Sequence, residues 1–288
     1  MAIVRIRSLG DCVLTTPALD ILRRSRPDLH ISVVVEDRFR PLFEDNPDID
    51  AILPPSIGAL RQSRPRLCLN FHGGTRSAWM SALSGAEHRA GFGHYRNRWA
   101  YNCQIPRAQE ILGQERTVHT AEHLASAMFW LGAPSGEIPR AKLVARNAVK
   151  RPVAVIHPVA SAPEKAWRAD GFVAAAKRFS ALGLEPLVIG GDADDLSPFH
   201  DYFTVQGAPL SVVKTLLAGA SFFIGNDSGP AHMAAAFGLP VVVIFGPSNP
   251  AIWGPWRTPS EVVTAPGGIG AVEIDRVMEA IERLRVPA

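Results

Sequence analysis

An aspartate behind a glycine, Gly10-Asp11, follows the first apolar run of the chain. A carboxylate in such a turn has the chemistry of a general base, and equally that of a helix cap. Two further groups stand in the second half. Ser161 and Lys165 lie in "HPVASAPEKAWRADGF", where a hydroxyl and an ammonium could hold a phosphate and neutralise a leaving group. The knot "NDSGPAH", containing Asp227, Ser228, Gly229 and His232, is set between two apolar runs. Ser228-Gly229-Pro230 has the form of an N-cap with an early proline, and a helix N-terminus attracts anions. Two other patterns are set aside. His119 to His123 spells H-x-x-E-H, the inverted zinc-protease motif, but it falls on a late helix with no further ligand in view. "GNDSG" lacks the G-x-S-x-G spacing of a hydrolase elbow.

Strands and helices must alternate to bring these groups together. In the first half, "AIVRI", "HISVVVE", "IDAILP" and "RLCLNF" are strand-like, with helical patterns in "TTPALDILRRSRP", "RFRPLFEDNP" and "TRSAWMSALSG". Pro17 is expected in the first turns of its helix. A helix over "TVHTAEHLASAMFWLG" closes this half, and a linker without periodicity runs near residues 133 to 151. The alternation restarts with "VAVIHP", "EPLVIGG", "SFFIG" and "PVVVIFGP" as strands, and the tail places Ile274, Val277, Ile281 and Leu284 on one stripe. This order implies two doubly wound α/β domains, residues 1–140 and 151–288, whose ligands bind beyond the carboxyl ends of the strands. The last helix has a place either in the second domain or back against the first. Neither G-x-G-x-x-G nor a P-loop occurs, so a dehydrogenase or P-loop kinase is unsupported.

The 288 residues are 47% hydrophobic and 20% charged, enough for two cores and for no disordered tract. A net charge of +3 is no nucleic-acid footprint. Lysine first appears at Lys142, so every Lys or Arg before it is arginine. Guanidinium forks match carboxylates and phosphates, so the first half suits an anionic partner, although a solvated arginine surface would look the same. Cys12, Cys68 and Cys103 are too few and too scattered for a disulfide framework or a zinc knuckle. With no signal peptide and no apolar run of about 20 residues, the expected location is the cytoplasm, with at most peripheral membrane attachment and no transmembrane segment.

Four segments taken together resemble glycosyltransferase family 9, the ADP-heptose:lipopolysaccharide heptosyltransferases. They are "RIRSLGDCVLTTPAL", "NFHGGTRSAWMSALSGAEHRAGF", "HPVASAPEKAWRADGF" and "FIGNDSGPAHMAAAFGLPVVVIFGPSNPAIWGPW", in family order. The resemblance implies a GT-B architecture, two Rossmann-like domains facing across a cleft, the first binding acceptor and the second nucleotide-sugar. It implies a metal-independent, inverting transfer of heptose from an ADP-sugar donor to an anionic glycolipid at the membrane surface, with no cofactor. On this reading Asp11 is the general base. Lys165 and Ser161 meet the donor phosphates, with Lys165 also catalytic. Asp227, Ser228, Gly229 and His232 form the donor-binding turn, and Asp192 or the nearby Asp194 meets the ribose. Arg5, Arg7 and Arg76 face the acceptor. The chain is shorter than typical members and lacks a threonine pair in "HPVASAPEKAW", which bears on the acceptor and less on the sugar; the alternatives are a family 9 transferase using another nucleotide-sugar, or a catalytically silent nucleotide-sugar binder, against which Asp11, Lys165 and Asp227 together argue.

Overall fold

The computed structural model describes residues 1–284. Contacts divide the chain into a first unit, Met1–Val144, and a second beginning at Ala145. Each unit is a six-stranded, all-parallel sheet with helices on its faces.

The first sheet contains β1 (Ala2–Val4), β2 (Ser32–Val34), β3 (Ala51–Leu53), β4 (Leu67–Asn70), β5 (His88–Phe92) and β6 (Cys103–Ile105), in the order β3-β2-β1-β4-β5-β6. Its helices are α1 (Leu9–Ser25), α2 (Ile57–Gln62), α3 (Thr75–Ala82), α4 (Ala108–Leu112) and α5 (Thr120–Trp130). The segment "RFRPLFEDNP", expected as a helix, forms only a 3-10 turn over Asp37–Leu42 with Pro41 inside it. Helix α1 begins earlier than its apolar pattern suggests. Asp11 therefore lies in its first turn, and Pro17 is interior rather than early. A proline there has no N–H for the carbonyl of Val13. The Thr16 hydroxyl donates to that carbonyl at 2.8 Å, which keeps the helix satisfied.

The second sheet contains β7 (Val153–His157), β8 (Glu185–Gly190), β9 (Phe203–Gln206), β10 (Phe222–Asn226), β11 (Val241–Ile244) and β12 (Ser260–Val263), in the order β12-β11-β10-β7-β8-β9. Its helices are α6 (Ala169–Ala181), α7 (Leu210–Gly219), α8 (Gly229–Ala236), α9 (Pro250–Trp253) and α10 (Ile274–Arg283). One core joins Phe172, Phe179 and Phe199 to the strands. Each such side chain contributes about 1.5–3 kcal/mol by leaving water. The stripe of α10 is spent within this unit. Val277, Ala280 and Ile281 are buried in the same core.

Residues 131–152 contain no helix or strand. Lys142, in this stretch, ion-pairs with the buried Asp20 and Asp48, both at 2.7 Å, and ties the segment to α1 and the loop before β3. Cys12, Cys68 and Cys103 are all free, the first two buried. Among the described residues no helix is long and apolar enough to cross a membrane.

Candidate active site

In both sheets the first and fourth strands are neighbours, and the chain leaves the first strand in opposite directions. That is the switch point at which open α/β sheets bind ligands. Most candidate residues follow these strands, while Asp192 and Asp194 follow β8.

In the first unit Val4 of β1 lies opposite Asn70 of β4. Asp11, in the first turn of α1, is held from two sides. Ser8 Oγ donates to its Oδ2 at 2.9 Å, and Arg5 Nη1 donates to its Oδ1 at 3.2 Å. The Arg5 side chain is only 6% exposed and that of Asp11 24%. Burial and this bond make Arg5 a holder of the Asp11 carboxylate. The helix N-terminus adds a favourable field for a negative charge at Asp11. Arg7 is exposed, and its carbonyl lies 3.1 Å from His72 Nδ1. Arg76, also exposed, donates to the Pro55 carbonyl at 2.8 Å and stands 4.0 Å from Glu36.

Asn70, fully buried, orders the loop after β4. Its Oδ1 accepts from the amides of His72 and Gly73, at 2.9 and 3.0 Å, while its Nδ2 donates to the Tyr101 hydroxyl at 3.0 Å. Burial, and then the Arg5 charge, lower His72 below the ordinary histidine value. Burial pushes the Tyr95 phenol up to about 12. The H-x-x-E-H residues have other work. His119 is the N-cap of α5, with Nδ1 accepting from the Ala121 amide, while Glu122 accepts from the His119 amide and pairs with Arg116. His123 stacks on Phe92 at 3.9 Å between centroids, and burial lowers it to about 4. Among the described residues no three His, Cys, Asp or Glu side chains gather as a metal would require.

In the second unit His157 of β7 lies opposite Gly225 of β10. Asn226, the last residue of β10, is fully buried and folds the loop after β7 onto the strand end. It accepts from the Trp167 amide at 3.0 Å and donates to the carbonyls of Pro158 and Val159, at 2.9 and 3.3 Å. Trp167 is itself buried and donates from Nε1 to the Val272 carbonyl at 2.9 Å. Lys165, two residues before this anchor, thereby reaches Asp227, with Nζ 3.3 Å from Oδ2. Gly246 allows the approach, since a Cβ there would stand 2.5 Å from the Glu164 carbonyl. Ser161 is exposed in the same loop.

Ser228 takes the N-cap position of α8, followed by Gly229 and Pro230, but its hydroxyl bonds no helix amide. It lies 3.2 Å from His157 Nδ1 instead. The expected side-chain cap is thus absent because the hydroxyl is turned to the strand end. Burial lowers His157 to about 4, so its imidazole is neutral at ordinary pH. His232, in the first turn of α8, is buried. The two ribose candidates differ in their surroundings. Asp194 turns its Oδ2 back to the Gly191 amide at 2.6 Å. Asp192 is exposed beside Gly207, where φ is +63° and a Cβ would meet the Asp192 carboxylate at 1.6 Å.

Ser8, Asn70, His157 and Asn226 were not assigned functional positions from sequence. A usable signal was present for three of them: each is a polar residue ending an otherwise apolar strand, in "LCLN", "VAVIH" and "FFIGN".

Comparison with known proteins bears on the family and the fold. Residues 57–271 match the family model for glycosyltransferase family 9 (heptosyltransferase). Lipopolysaccharide heptosyltransferase 3 of Escherichia coli is 27% identical, over 87% of this chain and 84% of that one. The family 9 glycosyltransferase of Veillonella parvula superposes with a TM-score of 0.83 at 21% identity, covering 98% of this chain and 96% of that one. The E. coli heptosyltransferase WaaC, solved with ADP, superposes with a TM-score of 0.82 at 18% identity, covering 99% of both chains. The fold of two Rossmann-like units is therefore the GT-B fold of these enzymes, and the chain is a glycosyltransferase that belongs to family 9, the heptosyltransferase family.

Proposed function

We propose that the protein transfers heptose, with inversion and without a metal ion, from ADP-heptose to a lipopolysaccharide inner-core or related glycolipid acceptor. The observation that carries this reading is the second unit's seat for an anionic donor, Lys165 held beside Asp227 at the N-terminus of α8. Because the Ser228 hydroxyl is engaged with His157, the backbone amides at the start of α8 suit a diphosphate, and the helix field adds to them. Ser161 and His232 border the same seat. Asp227 accepts from sugar hydroxyls once Lys165 turns to phosphate. Asp192 meets the ribose, since Asp194 is committed to its own turn.

In the transfer an acceptor oxygen attacks the anomeric carbon and its proton passes to the Asp11 carboxylate. The bond from that carbon to the β-phosphate oxygen breaks, and ADP leaves with the electron pair. Such chemistry passes through an oxocarbenium-like state. Lys165 and the α8 amides neutralise the charge growing on the leaving diphosphate. Arg7 and Arg76 lie at strand ends and helix starts of the first unit, where they suit an acceptor bearing carboxylates or phosphates. The relatives named as lipopolysaccharide heptosyltransferases support the sugar and the acceptor class. The protein acts in the cytoplasm, at the inner face of the membrane.

Thermal stabilisation by a nucleotide panel tests the donor assignment, because a ligand bound to the native state raises the melting temperature. ADP and ADP-heptose should outperform UDP, GDP and NAD, with no effect of EDTA. A UDP preference would overturn the heptose assignment.

A further inference from the structure

Two tryptophans lie open to solvent in the first unit. Trp79 on α3 is 52% exposed and Trp99 is 54% exposed. Their rings meet edge to face, with centroids 4.8 Å apart and planes at 64°. Trp99 belongs to the 3-10 turn Arg98–Ala100, and Leu83, one helical turn beyond Trp79, is 44% exposed. Neither tryptophan is among the buried core residues. Exposing two adjacent indoles to water is unfavourable, so a surface of this kind marks a place of contact.

The charge around the pair says what it contacts. From residue 71 to residue 109 there are five arginines and a single acid, Glu87. Arg96 and Arg98 are exposed beside Trp99, and Arg76 is exposed one helical turn before Trp79. An apolar partner protein would not call for this excess of cations. A bilayer interface does: indole rings settle at headgroup level, with an apolar body and a polar N–H, and anionic headgroups attract arginines. We infer that Trp79 and Trp99, flanked by Arg96 and Arg98, form an anchor that inserts into the headgroup region of an anionic phospholipid bilayer. The inference rests on the reading above only for its use, since a membrane-borne acceptor gives the anchor a purpose. Helix α3 starts directly after the His72–Gly74 loop, so an anchored protein presents the acceptor side of its first unit to the lipid surface.

Flotation of the full chain with vesicles tests this without donor or turnover, so it is independent of the transfer reading. Vesicles of phosphatidylcholine mixed with phosphatidylglycerol should carry the protein up, those of phosphatidylcholine alone should carry far less, and salt should weaken binding. Trp79→Ala/Trp99→Ala should lower the partition coefficient about tenfold on the mixed vesicles, and Arg96→Gln/Arg98→Gln should remove most of the anionic preference. An unchanged melting temperature and an unchanged shift with ADP establish that the variants are folded. Partition equal to the parent in the double tryptophan variant would overturn the anchor. So would binding that requires lipopolysaccharide in the vesicle, which would assign the patch to the acceptor. A concentration-dependent dimer lost in that variant, without vesicle binding, would assign it to a second copy of the chain and likewise overturn the proposal.

Discussion

Asn70 and Asn226 occupy the same place in the two halves of the chain. Each is the fully buried last residue of its sheet's fourth strand, and each neighbours the first strand at the switch point. Each uses its amide to order a loop, but the loops differ. Asn70 folds its own following turn, taking the amides of His72 and Gly73, whereas Asn226 reaches back to the loop after β7 through Trp167, Pro158 and Val159. The groups placed at the two ends are opposite in charge. The first half presents a carboxylate gripped by Arg5 and Ser8. The second presents an ammonium beside a helix N-terminus. On the proposed reading, one architecture repeated serves as a base in one half and an anion seat in the other, through the residues that follow the first and fourth strands.

The division is broken most severely at the base. Asp11→Asn keeps an oxygen for Ser8 but cannot take a proton, so transfer should fall about a thousandfold, measured as kcat under saturating donor. The donor dissociation constant should stay at the parent value. Lys165→Ala removes the ammonium from the other half. A loss of about a hundredfold in kcat is expected, accompanied by weaker donor binding; a variant that lost turnover while binding donor as before would place Lys165 outside the seat.

The paired asparagines sharpen the comparison further. Asn70→Ala and Asn226→Ala each leave buried amides or carbonyls unsatisfied and should cost about 1–3 kcal/mol in denaturant unfolding. Their functional effects should separate. Asn226→Ala should weaken ADP binding because Lys165 loses its tether, and Asn70→Ala should leave ADP binding intact. On acid stability, by contrast, the halves should behave alike. His123 in the first and His157 in the second are lowered from the ordinary 6.5 to about 4 by burial. The unfolded chain therefore binds these protons more readily than the folded one. Their stability cost is nil above about pH 6.5 and grows as pH falls towards 4, on the order of 2–3 kcal/mol for each histidine. Replacing either histidine with glutamine should flatten the fall in unfolding free energy over that interval by a similar amount.

Much of this was legible from residue order. Apolar runs such as "VAVIH" and "PVVVIFGP" mark buried parallel strands because both faces of each strand are covered. β5, β6, β9 and β12 have no strand signature in the sequence: three are edge strands of three or four residues, and β5 begins with exposed or half-exposed polar residues. Asp11 and Lys165 are legible because they follow strand ends, Asp11 in the first turn of α1 and Lys165 in the connection after β7. The partners that position them are not. Nothing local distinguishes Arg5, which packs inward to Asp11, from Arg7, which faces solvent, since the difference arises from packing against α1. Ser228 has the sequence of a helix cap, and only the neighbouring strand shows that its hydroxyl goes to His157.

The most direct test of the account is calorimetric titration of ADP into the whole protein and into its Asp11→Asn and Lys165→Ala variants. The account predicts that Asp11→Asn binds ADP as the parent does and that Lys165→Ala binds it about tenfold more weakly or worse, since a charge-assisted contact to phosphate is lost. Equal affinity in the Lys165→Ala protein, or loss of binding in the Asp11→Asn protein, would contradict the assignment of donor to the second half and base to the first.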